Sequence, residues 1–379
     1  MPVTALRGIQ TPAAIVERTQ MQRNINRMQM RMNDLGVRFR PHVKTAKSAE
    51  IARAQRAAGS QGITVSTLAE AEYFFAHGFA DILYAVGMSS SKLPRALDLM
   101  RRGCALKIIT DNKGSADAIV KFGREAATIF EVLIEIDTDG HRSGIKPDQQ
   151  ELLDVARALH SGGMRLAGAL THAGSSYGCD TPKQLIAAAE QERSGCVLAA
   201  QRLRAAGLPC NEVSVGSTPT ALSAEHLEEV TEVRAGVYVF LDLVMCNVGV
   251  CTAGEIALSV LTTVTGHQSE KGWAIVDAGW MAMSRDRGTQ AQRHDYGYGQ
   301  VCSVDGKPIP GYVVRDANQE HGVLARQGLI DTDIASRFPI DTQLRILPNH
   351  ACATAAQFSE YYALDPNGTL TTWERIRGW

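Results

Sequence analysis

The chain has 379 residues, of which 45% are hydrophobic and 21% are charged, and its formal net charge is -1. This is the composition of a globular protein, and the length suits two domains with a substantial core. The balanced charge argues against a surface for nucleic acid or for an anionic membrane. No segment approaches the roughly 20 apolar residues of a membrane span, and the first residues lack a signal peptide's apolar region. We therefore expect a cytoplasmic protein that binds neither nucleic acid nor a membrane.

Residues 12–245 alternate between strand-like runs and amphipathic helical stretches. Apolar residues recur at spacings of three and four from Met21 to Leu35, which predicts a helix over residues 19–35. Thr67 and Glu70 match the capping box at the start of a later helix. The strand candidates are residues 37–43, 62–65, 81–86, 105–110, 130–137, 165–172, 211–216 and 231–240. These strand–helix units predict an α/β fold with a closed (β/α)8 barrel of the TIM type, and the alternative is a doubly wound open sheet.

From residue 246 the sequence changes in character. Val, Thr, Gly and aromatic residues dominate, and strong helical periodicity is absent. This pattern predicts a second, mostly antiparallel β domain. We assign residues 12–245 to the barrel, and residues 246–379 together with residues 1–11 to the β domain.

Lys44 follows the first predicted barrel strand, in the run PHVKTAK. Ligands of α/β folds bind at the carboxyl ends of strands. A lysine that is desolvated, or that lies beside other charges, is a nucleophile toward an aldehyde cofactor. His42 is two residues away and is expected on the same face. Position alone leaves open the alternative that Lys44 is a solvated loop residue.

Two further loops, Gly216–Thr218 and Gly236–Tyr238, each follow a predicted strand. Small residues with accessible backbone N–H groups and a hydroxyl suit a phosphate group. Each loop is a weak signal when taken singly, because glycine followed by Ser or Thr is common in turns. Loops on consecutive late strands nevertheless match the usual position of a phosphate site in such barrels.

Arg142 also follows a predicted strand, in the run DGHRSG. It has two interpretations that the sequence leaves open. Its guanidinium either pairs with Glu135 and Asp137 in a purely structural role, or faces the ring nitrogen of a cofactor.

His350 and Cys352 form an H-x-C pair in the run LRILPNHACATAA. In an extended chain, residues two apart project to the same side, and imidazole with thiolate is a suitable donor pair for zinc. Two protein ligands leave coordination positions for water or substrate. The alternative is a buried thiol beside a hydrogen-bonded histidine.

Taken together, these motifs resemble the D-serine dehydratase and D-threonine aldolase family, fold-type III enzymes of pyridoxal 5'-phosphate (PLP) related to alanine racemase. The matching segments, in chain order, are RPHVKTAK, VSTLAEAEYF, EIDTDGHRSG, THAGSSY, VGSTPT, AGVYVF, VDAGW, QEHG and PNHACATA. They span nearly the whole chain, up to the final RGW. An ordered set of this kind is far more specific than any one motif.

The resemblance implies an alanine racemase-like barrel with a β domain, in a homodimer whose active sites are shared between the subunits. It implies that Lys44 is the Schiff-base lysine of PLP, that Arg142 faces the pyridine nitrogen and that Tyr177 lies beside the cofactor. The residues around the phosphate would be Ser217, Thr218, Gly236, Val237 and Tyr238. His350 and Cys352 would bind a divalent metal, for which zinc, manganese, cobalt and nickel are candidates.

Within this family, aldolases typically carry His-x-Asp at the metal motif and dehydratases carry His-x-Cys, so Cys352 implies a dehydratase. Ala46 points the same way, because aldolases favour a histidine there. Leu170 departs from the pattern, since D-serine dehydratases often have a tyrosine at this position, and the departure bears on the substrate. The resemblance assigns no role to His172 or His321.

The implied reaction is loss of water from a small β-hydroxy D-amino acid, with Lys44 as the base for the α-proton and the metal as a Lewis acid. Hydroxyaspartate would give oxaloacetate and ammonia, and D-serine would give pyruvate and ammonia. A β-carboxylate needs a cationic partner, and the candidates are Arg285, Arg287 and Arg293. The alternatives are retro-aldol cleavage and a non-catalytic PLP-binding barrel protein, and residues 246–379 argue against the latter.

Overall fold

The structure is a computed structural model that describes residues 5–379. The chain divides into two compact units. The barrel unit comprises Asn26–Gly236 with Gly378–Trp379, and the β unit comprises Val237–Arg377 with the described residues up to Ile25.

The strands of the described chain run in sequence order through both units. They are β1 (Ala13–Glu17), β2 (Arg38–Phe39), β3 (Ile63–Val65), β4 (Asp81–Gly87), β5 (Ala105–Thr110), β6 (Glu131–Ile136), β7 (Arg165–Thr171), β8 (Glu212–Val215), β9 (Glu232–Val233), β10 (Leu258–Gln268), β11 (Trp273–Val276), β12 (Gly299–Cys302), β13 (Pro308–Ala317), β14 (Gly322–Arg326), β15 (Gln343–Pro348), β16 (Glu360–Leu364) and β17 (Leu370–Glu374).

The helices follow the same order, and the long ones lie between the barrel strands. They are α1 (Arg18–Asp34), α2 (Ala49–Ala57), α3 (Leu68–Ala76), α4 (Leu93–Arg101), α5 (Lys113–Glu125), α6 (Glu151–Ser161), α7 (Pro182–Ala205), α8 (Thr218–Ser223), α9 (Leu243–Val248), α10 (Trp280–Met283), α11 (Ile334–Arg337) and α12 (Ala351–Ala355).

The barrel unit is built on an eight-stranded parallel sheet in the order β2-β9-β8-β7-β6-β5-β4-β3. A parallel bridge between His42 and Thr64 joins its two ends, with the Thr64 N–H donating to the Pro41 carbonyl at 2.8 Å. The sheet is therefore closed, which confirms the predicted barrel and excludes the open doubly wound sheet. Strand β6 is buried along nearly its whole length, as expected for a parallel strand covered on both faces.

Local sequence signals explain where the helices begin. In α1, the side chains of Met21, Ile25, Met28 and Met32 are at most 2% exposed, so the predicted apolar face is the buried face. Helix α3 begins after Thr67, whose side chain accepts from the backbone N–H of Glu70, as one half of the predicted capping box requires. The Glu70 carboxylate accepts from the Ser66 N–H at 3.1 Å, one residue before the position that the motif predicts. The structure therefore confirms the apolar face predicted for α1 and the predicted start of α3.

The β unit is mostly antiparallel, as predicted. Strand β10 pairs with both β11 and β15, and six strands thereby close in the order β10-β11-β14-β13-β12-β15. Strand β1 extends this sheet by pairing antiparallel with β10 and parallel with β16. The interior of this six-stranded antiparallel barrel is filled by buried aliphatic side chains, among them Val260, Val276, Val314, Leu324 and Ile346.

No helix within residues 5–379 has both the length and the apolar character needed to cross a membrane.

Candidate active site

The candidate residues fall into two groups, one in each unit. In the barrel unit, the regular part of β2 ends at Phe39, so Lys44 lies in a turn beyond the His42 bridge and not at the end of a long strand. The Lys44 side chain is partly buried, and its backbone N–H points to His42 Nδ1 at 3.5 Å. Lys44 therefore lies in a turn, and its side chain is partly removed from solvent.

Two histidines next to Lys44 are held neutral. Burial, reinforced by the charge of Lys44, lowers the pKa of His42 well below its usual value. Burial likewise lowers the pKa of His172 to about 3, and the charges of Lys44, Arg142 and Arg234 act in the same direction. The charges of Lys44, Arg142 and Arg234 therefore act on both imidazoles, and an anionic ligand beside these rings would be attracted by the same three cations. Carboxylates offset part of this charge, because Glu232, Glu192 and Glu135 act on Arg234.

The loop after β7 carries His172 and Tyr177. The imidazole of His172 donates from Nδ1 to the Gly216 carbonyl at 3.0 Å, which fixes its ring plane and leaves Nε2 as an acceptor. Tyr177 lies in the 3-10 helix Gly174–Gly178, with its ring centroid 6.3 Å from that of His172. The structure thus brings Tyr177 and His172 together in one loop.

The loop after β8 can be formed only with glycine at its start. Gly216 has φ +133, and a Cβ there would lie 2.1 Å from the Arg234 carbonyl oxygen. Ser217 follows as the N-cap of α8, and its hydroxyl accepts from the Thr220 N–H at 3.3 Å. Ser217 and Thr218 are both at most 2% exposed.

The loop after β9 packs against the turn that carries Lys44. A Cβ on Gly236 would lie 3.0 Å from the His42 carbonyl oxygen and 3.2 Å from Thr45 Oγ1. Val237 and Tyr238 continue in the buried 3-10 helix Val237–Val239, which belongs to the β unit. In the barrel unit, Gly236 therefore lies against the turn that contains Lys44.

Arg142 is half exposed, and its Nη2 lies 3.5 Å from Glu135 Oε1. Asp137 accepts instead from the backbone N–H groups of Asp139 and Gly140. Of the two predicted carboxylate partners, Glu135 is therefore the one near the guanidinium. The distance between the two groups is long for an ion pair, and the guanidinium is partly solvated. Such a pair contributes little stability.

In the β unit, His350 and Cys352 are adjacent, but the expectation of an extended chain is wrong. His350 is the N-cap of α12, and Cys352 already lies in the first turn of that helix. The Asp242 carboxylate causes this early helix start, because its Oδ2 accepts from the Ala351 N–H at 2.9 Å. A hydrogen bond nevertheless joins the side chains of His350 and Cys352.

Asp286 is a residue that sequence reasoning missed. Its Oδ2 lies 2.5 Å from His350 Nδ1, which directs Nε2 of the ring away from the carboxylate. Burial lowers the pKa of His350, but the charge of Cys352 and the contact with Asp286 outweigh it and raise that pKa to about 11. The hydrogen bond from His350 lowers the pKa of Asp286.

The rest of the metal motif is held by backbone contacts. Asp242 also accepts from the Met245 N–H at 2.9 Å, and burial raises its pKa. The Thr354 hydroxyl donates to the Met283 carbonyl at 2.9 Å. Among residues 5–379, no group of three or more His, Cys, Asp or Glu side chains is placed to hold a metal ion.

The three candidate arginines have different environments. Arg287 pairs with Asp295 at 2.8 Å, and Arg293 donates to the Cys246 carbonyl at 3.1 Å. Arg285 is exposed and stacks on the ring of Trp280 at 4.7 Å. His321 is exposed as well.

Glu192 is the second residue that sequence reasoning missed. It is 2% exposed on α7, where it accepts from backbone N–H groups of the β7 and β8 loops. A sequence signal was present, because Glu192 stands in the stripe of Leu185, Ala189, Cys196 and Leu203, whose other members are apolar.

Comparison with known proteins places this arrangement in a family. The model of the alanine racemase N-terminal domain matches residues 16–243, and the model of a serine dehydratase domain matches residues 257–364.

Curated relatives match over nearly the full length. The chain is 65% identical to the D-threo-3-hydroxyaspartate dehydratase of Delftia sp. (strain HT23), over 98% of each protein. It is 31% identical to the D-serine dehydratase of Dictyostelium discoideum, over 96% of each. It is 26% identical to a D-threonine aldolase of Arthrobacter sp, over 93% of this chain and 88% of the aldolase.

Solved structures of related enzymes have the same fold. The Delftia dehydratase superposes with a TM-score of 0.98 at 65% identity, over 99% of each chain. Other structures of a D-threo-3-hydroxyaspartate dehydratase carry a histidine-to-alanine substitution, or a cysteine-to-alanine substitution in the metal-free form.

Proposed function

The chain belongs to the alanine racemase N-terminal domain family, in a form that also carries a serine dehydratase domain, and from this premise we propose that it is a dehydratase of β-hydroxy D-amino acids that depends on PLP and a divalent metal. The proposed substrate is D-threo-3-hydroxyaspartate. It loses water, and hydrolysis of the resulting imine takes up one water and releases ammonia, which leaves oxaloacetate. The observation that carries the proposal is the 65% identity to a dehydratase of this substrate, over 98% of each chain.

The barrel unit fits PLP. An anionic cofactor suits the cluster of Lys44, Arg142 and Arg234, whose charges converge on two neutral imidazoles. The close approach of Gly236 to His42 makes a tight cradle, which any larger side chain would fill. When bound, PLP supplies an aldehyde for amino groups and an electron sink for the substrate Cα.

Lys44 is the residue that holds the cofactor and then takes the α-proton on Nζ. Neutral His42 and His172 suit this task, because charged imidazoles here would repel the lysine. Ser217, Thr218, Gly236, Val237 and Tyr238 are the residues assigned to the phosphate, and Tyr177 to the side of the ring. Arg142 is assigned to the ring nitrogen, where a guanidinium, which stays protonated, disfavours protonation of the ring.

The H-x-C pair fits a divalent metal. Imidazole nitrogen with thiolate sulfur suits zinc and, to differing degrees, manganese, cobalt or nickel. A bound metal supplies a Lewis acid for an oxygen leaving group. In the related dehydratase, the substituted histidine and cysteine also stand two positions apart, as His350 and Cys352 do. Asp286 orients the imidazole of His350, and Asp242 fixes the start of α12.

A substrate with a second carboxylate requires a cation, and we assign this role to Arg285. Its guanidinium is exposed and stacked on Trp280, whereas Arg287 is engaged by Asp295. An arginine held by an aromatic ring keeps its five donors available for a carboxylate.

The proposal extends to organisation and compartment. We assign cofactor binding to residues 12–245 and metal binding to residues 246–379 with residues 1–11, and we propose a homodimer with shared active sites. We place the enzyme in the cytoplasm, because none of the eight cysteines forms a disulfide in the described chain, not even Cys246 and Cys251, whose sulfurs are 3.5 Å apart.

Incubation with D-threonine tests the type of reaction. A dehydratase releases 2-oxobutanoate and ammonia, and an aldolase releases glycine and acetaldehyde. We expect the first pair of products. Metal dependence is tested with Cys352→Ala dialysed against a chelator, which we expect to be inactive until metal is restored in excess. Full activity of this variant without metal would refute the role of the metal.

A further inference from the structure

Helix α7 carries a buried carboxylate that the proposed chemistry does not use. The residues of α7 that face the barrel sheet, Leu185, Ala189, Cys196 and Leu203, are apolar or thiol side chains at most 4% exposed. Glu192 lies in the same stripe and is 2% exposed. A carboxylate at such a position is costly unless it is fully hydrogen-bonded, so its contacts indicate its purpose.

Glu192 joins two loops through a single oxygen atom. Its Oε1 accepts from the Ala173 N–H at 2.8 Å and from the Gly216 N–H at 3.1 Å. Its carboxylate also has a hydrogen bond with the side chain of Thr220. Ala173 belongs to the loop after β7 and Gly216 to the loop after β8, and both loops leave the carboxyl ends of neighbouring strands. One side chain on α7 therefore fixes the spacing of the two loops.

The donors that Glu192 satisfies stand next to candidate site residues. Ala173 follows His172, and Gly216 precedes Ser217. Other bonds between the same loops depend on this spacing. The Ser176 and Ser217 hydroxyls lie 2.9 Å apart, and both residues are fully or almost fully buried. A shift of one loop against the other would therefore move the residues assigned to the phosphate.

We propose that Glu192 is a positioning residue, which holds the β7 and β8 loops in the geometry that binds the cofactor. The proposal rests on the proposed function for the identity of the ligand, PLP. The bridge that Glu192 makes between the two loops, called the clamp below, is a property of the protein without cofactor and does not depend on the proposed function.

The clamp requires an acceptor at the position of Oε1 and does not require a negative charge. Glu192→Gln keeps a carbonyl oxygen there, Glu192→Asp withdraws the carboxylate by one methylene, and Glu192→Met keeps the size but removes the acceptor. We therefore expect Glu192→Gln to behave like the wild type. Glu192→Met leaves two buried N–H groups without a partner.

Hydrogen exchange in the full-length chain before PLP is added tests the clamp directly. We expect Glu192→Met to accelerate exchange at Ala173 and Gly216 by about tenfold or more, because the amides lose their acceptor. Glu192→Gln should change exchange by less than about threefold. Glu192→Asp should resemble Glu192→Met, and it serves as the test variant if Glu192→Met does not fold.

PLP affinity is the second measurement, by absorbance titration of the same variants. We expect the PLP dissociation constant of Glu192→Met to rise about tenfold, and that of Glu192→Gln to stay within about threefold of wild type. Leu203→Ala is the matched control for lost stability, since Leu203 is buried on the same face of α7, 11 residues beyond Glu192. Glu190→Gln controls for removal of a half-exposed carboxylate from α7.

The outcomes separate the two proposals. If wild-type protein binds no PLP, the proposed function fails, and the exchange experiment still tests the clamp. If wild-type protein binds PLP while Glu192→Met and Glu192→Asp keep wild-type exchange and affinity, the role of Glu192 is refuted. It is equally refuted if Leu203→Ala weakens PLP binding as much as Glu192→Met at the same loss of stability.

Discussion

Substitution of Asp286 by asparagine tests how His350, the proposed metal ligand, is oriented. The 2.5 Å contact between Asp286 Oδ2 and His350 Nδ1 is a charge-assisted hydrogen bond, and it leaves Nε2 of the ring for the proposed metal. Asparagine keeps the shape and one acceptor oxygen but removes the charge. A hydrogen bond to a charged group contributes about 1.5–3 kcal/mol and a neutral one about 1 kcal/mol. The midpoints of these values differ by about 1.25 kcal/mol, which corresponds to about eightfold, on the order of tenfold, weaker metal binding.

The assay is titration of metal-depleted, full-length protein with Zn²⁺ and with Mn²⁺ in competition with a chromophoric chelator. We expect Asp286→Asn to raise the metal dissociation constant about tenfold, and Asp286→Ala up to about 100-fold. Asp295→Asn is the matched control, because Asp295 pairs with Arg287 and is similarly exposed. Equal or tighter metal binding by Asp286→Asn would contradict the reasoning, since it would show that Asp286 competes with the metal for His350.

Three further predictions concern the barrel unit. Lys44→Ala should abolish the mass increase after borohydride treatment with PLP and lower turnover about 10³-fold or more; a tenth of wild-type turnover would refute its role. Gly216→Ala should cost about 3 kcal/mol in denaturant unfolding, because φ is +133 and the new Cβ would meet the Arg234 carbonyl at 2.1 Å; an unchanged midpoint would contradict this. The folded-state pKa of His172 of about 3 lies below its ordinary value of 6.5, so the unfolded chain binds more protons and stability falls as pH drops below 6.5. At pH 5 the free energy of unfolding that is lost through His172 is about 2 kcal/mol. The free energy of unfolding of His172→Asn should therefore fall less between pH 7 and pH 5 than that of the wild type.

The fold was predictable because its signals are local. Apolar spacing located α1, and the Thr67 capping box located the start of α3. The alternation of strands and helices predicted the closed barrel. The regular part of β2 is shorter than the predicted strand 37–43, because the pairing that continues toward Lys44 consists of one bridge, between His42 and Thr64.

The candidate site was only partly predictable, because its decisive contacts are long-range. The H-x-C pair was visible in sequence, but its helical start depends on Asp242, 109 residues before Ala351. Asp286 is 64 residues before His350, and nothing in its local sequence indicates the contact. Glu192 was detectable in principle as a charge in an apolar helical stripe, yet its two backbone partners are visible only in the folded barrel.

The central claim is tested most directly by the products formed from D-threo-3-hydroxyaspartate. The full-length protein, supplied with PLP and a divalent metal, should convert it to equal amounts of oxaloacetate and ammonia, and chelation of the metal should stop the reaction. Release of glycine and glyoxylate would show cleavage of the carbon–carbon bond. That result, or the absence of any product from this substrate and from D-serine, would contradict the assignment as a dehydratase.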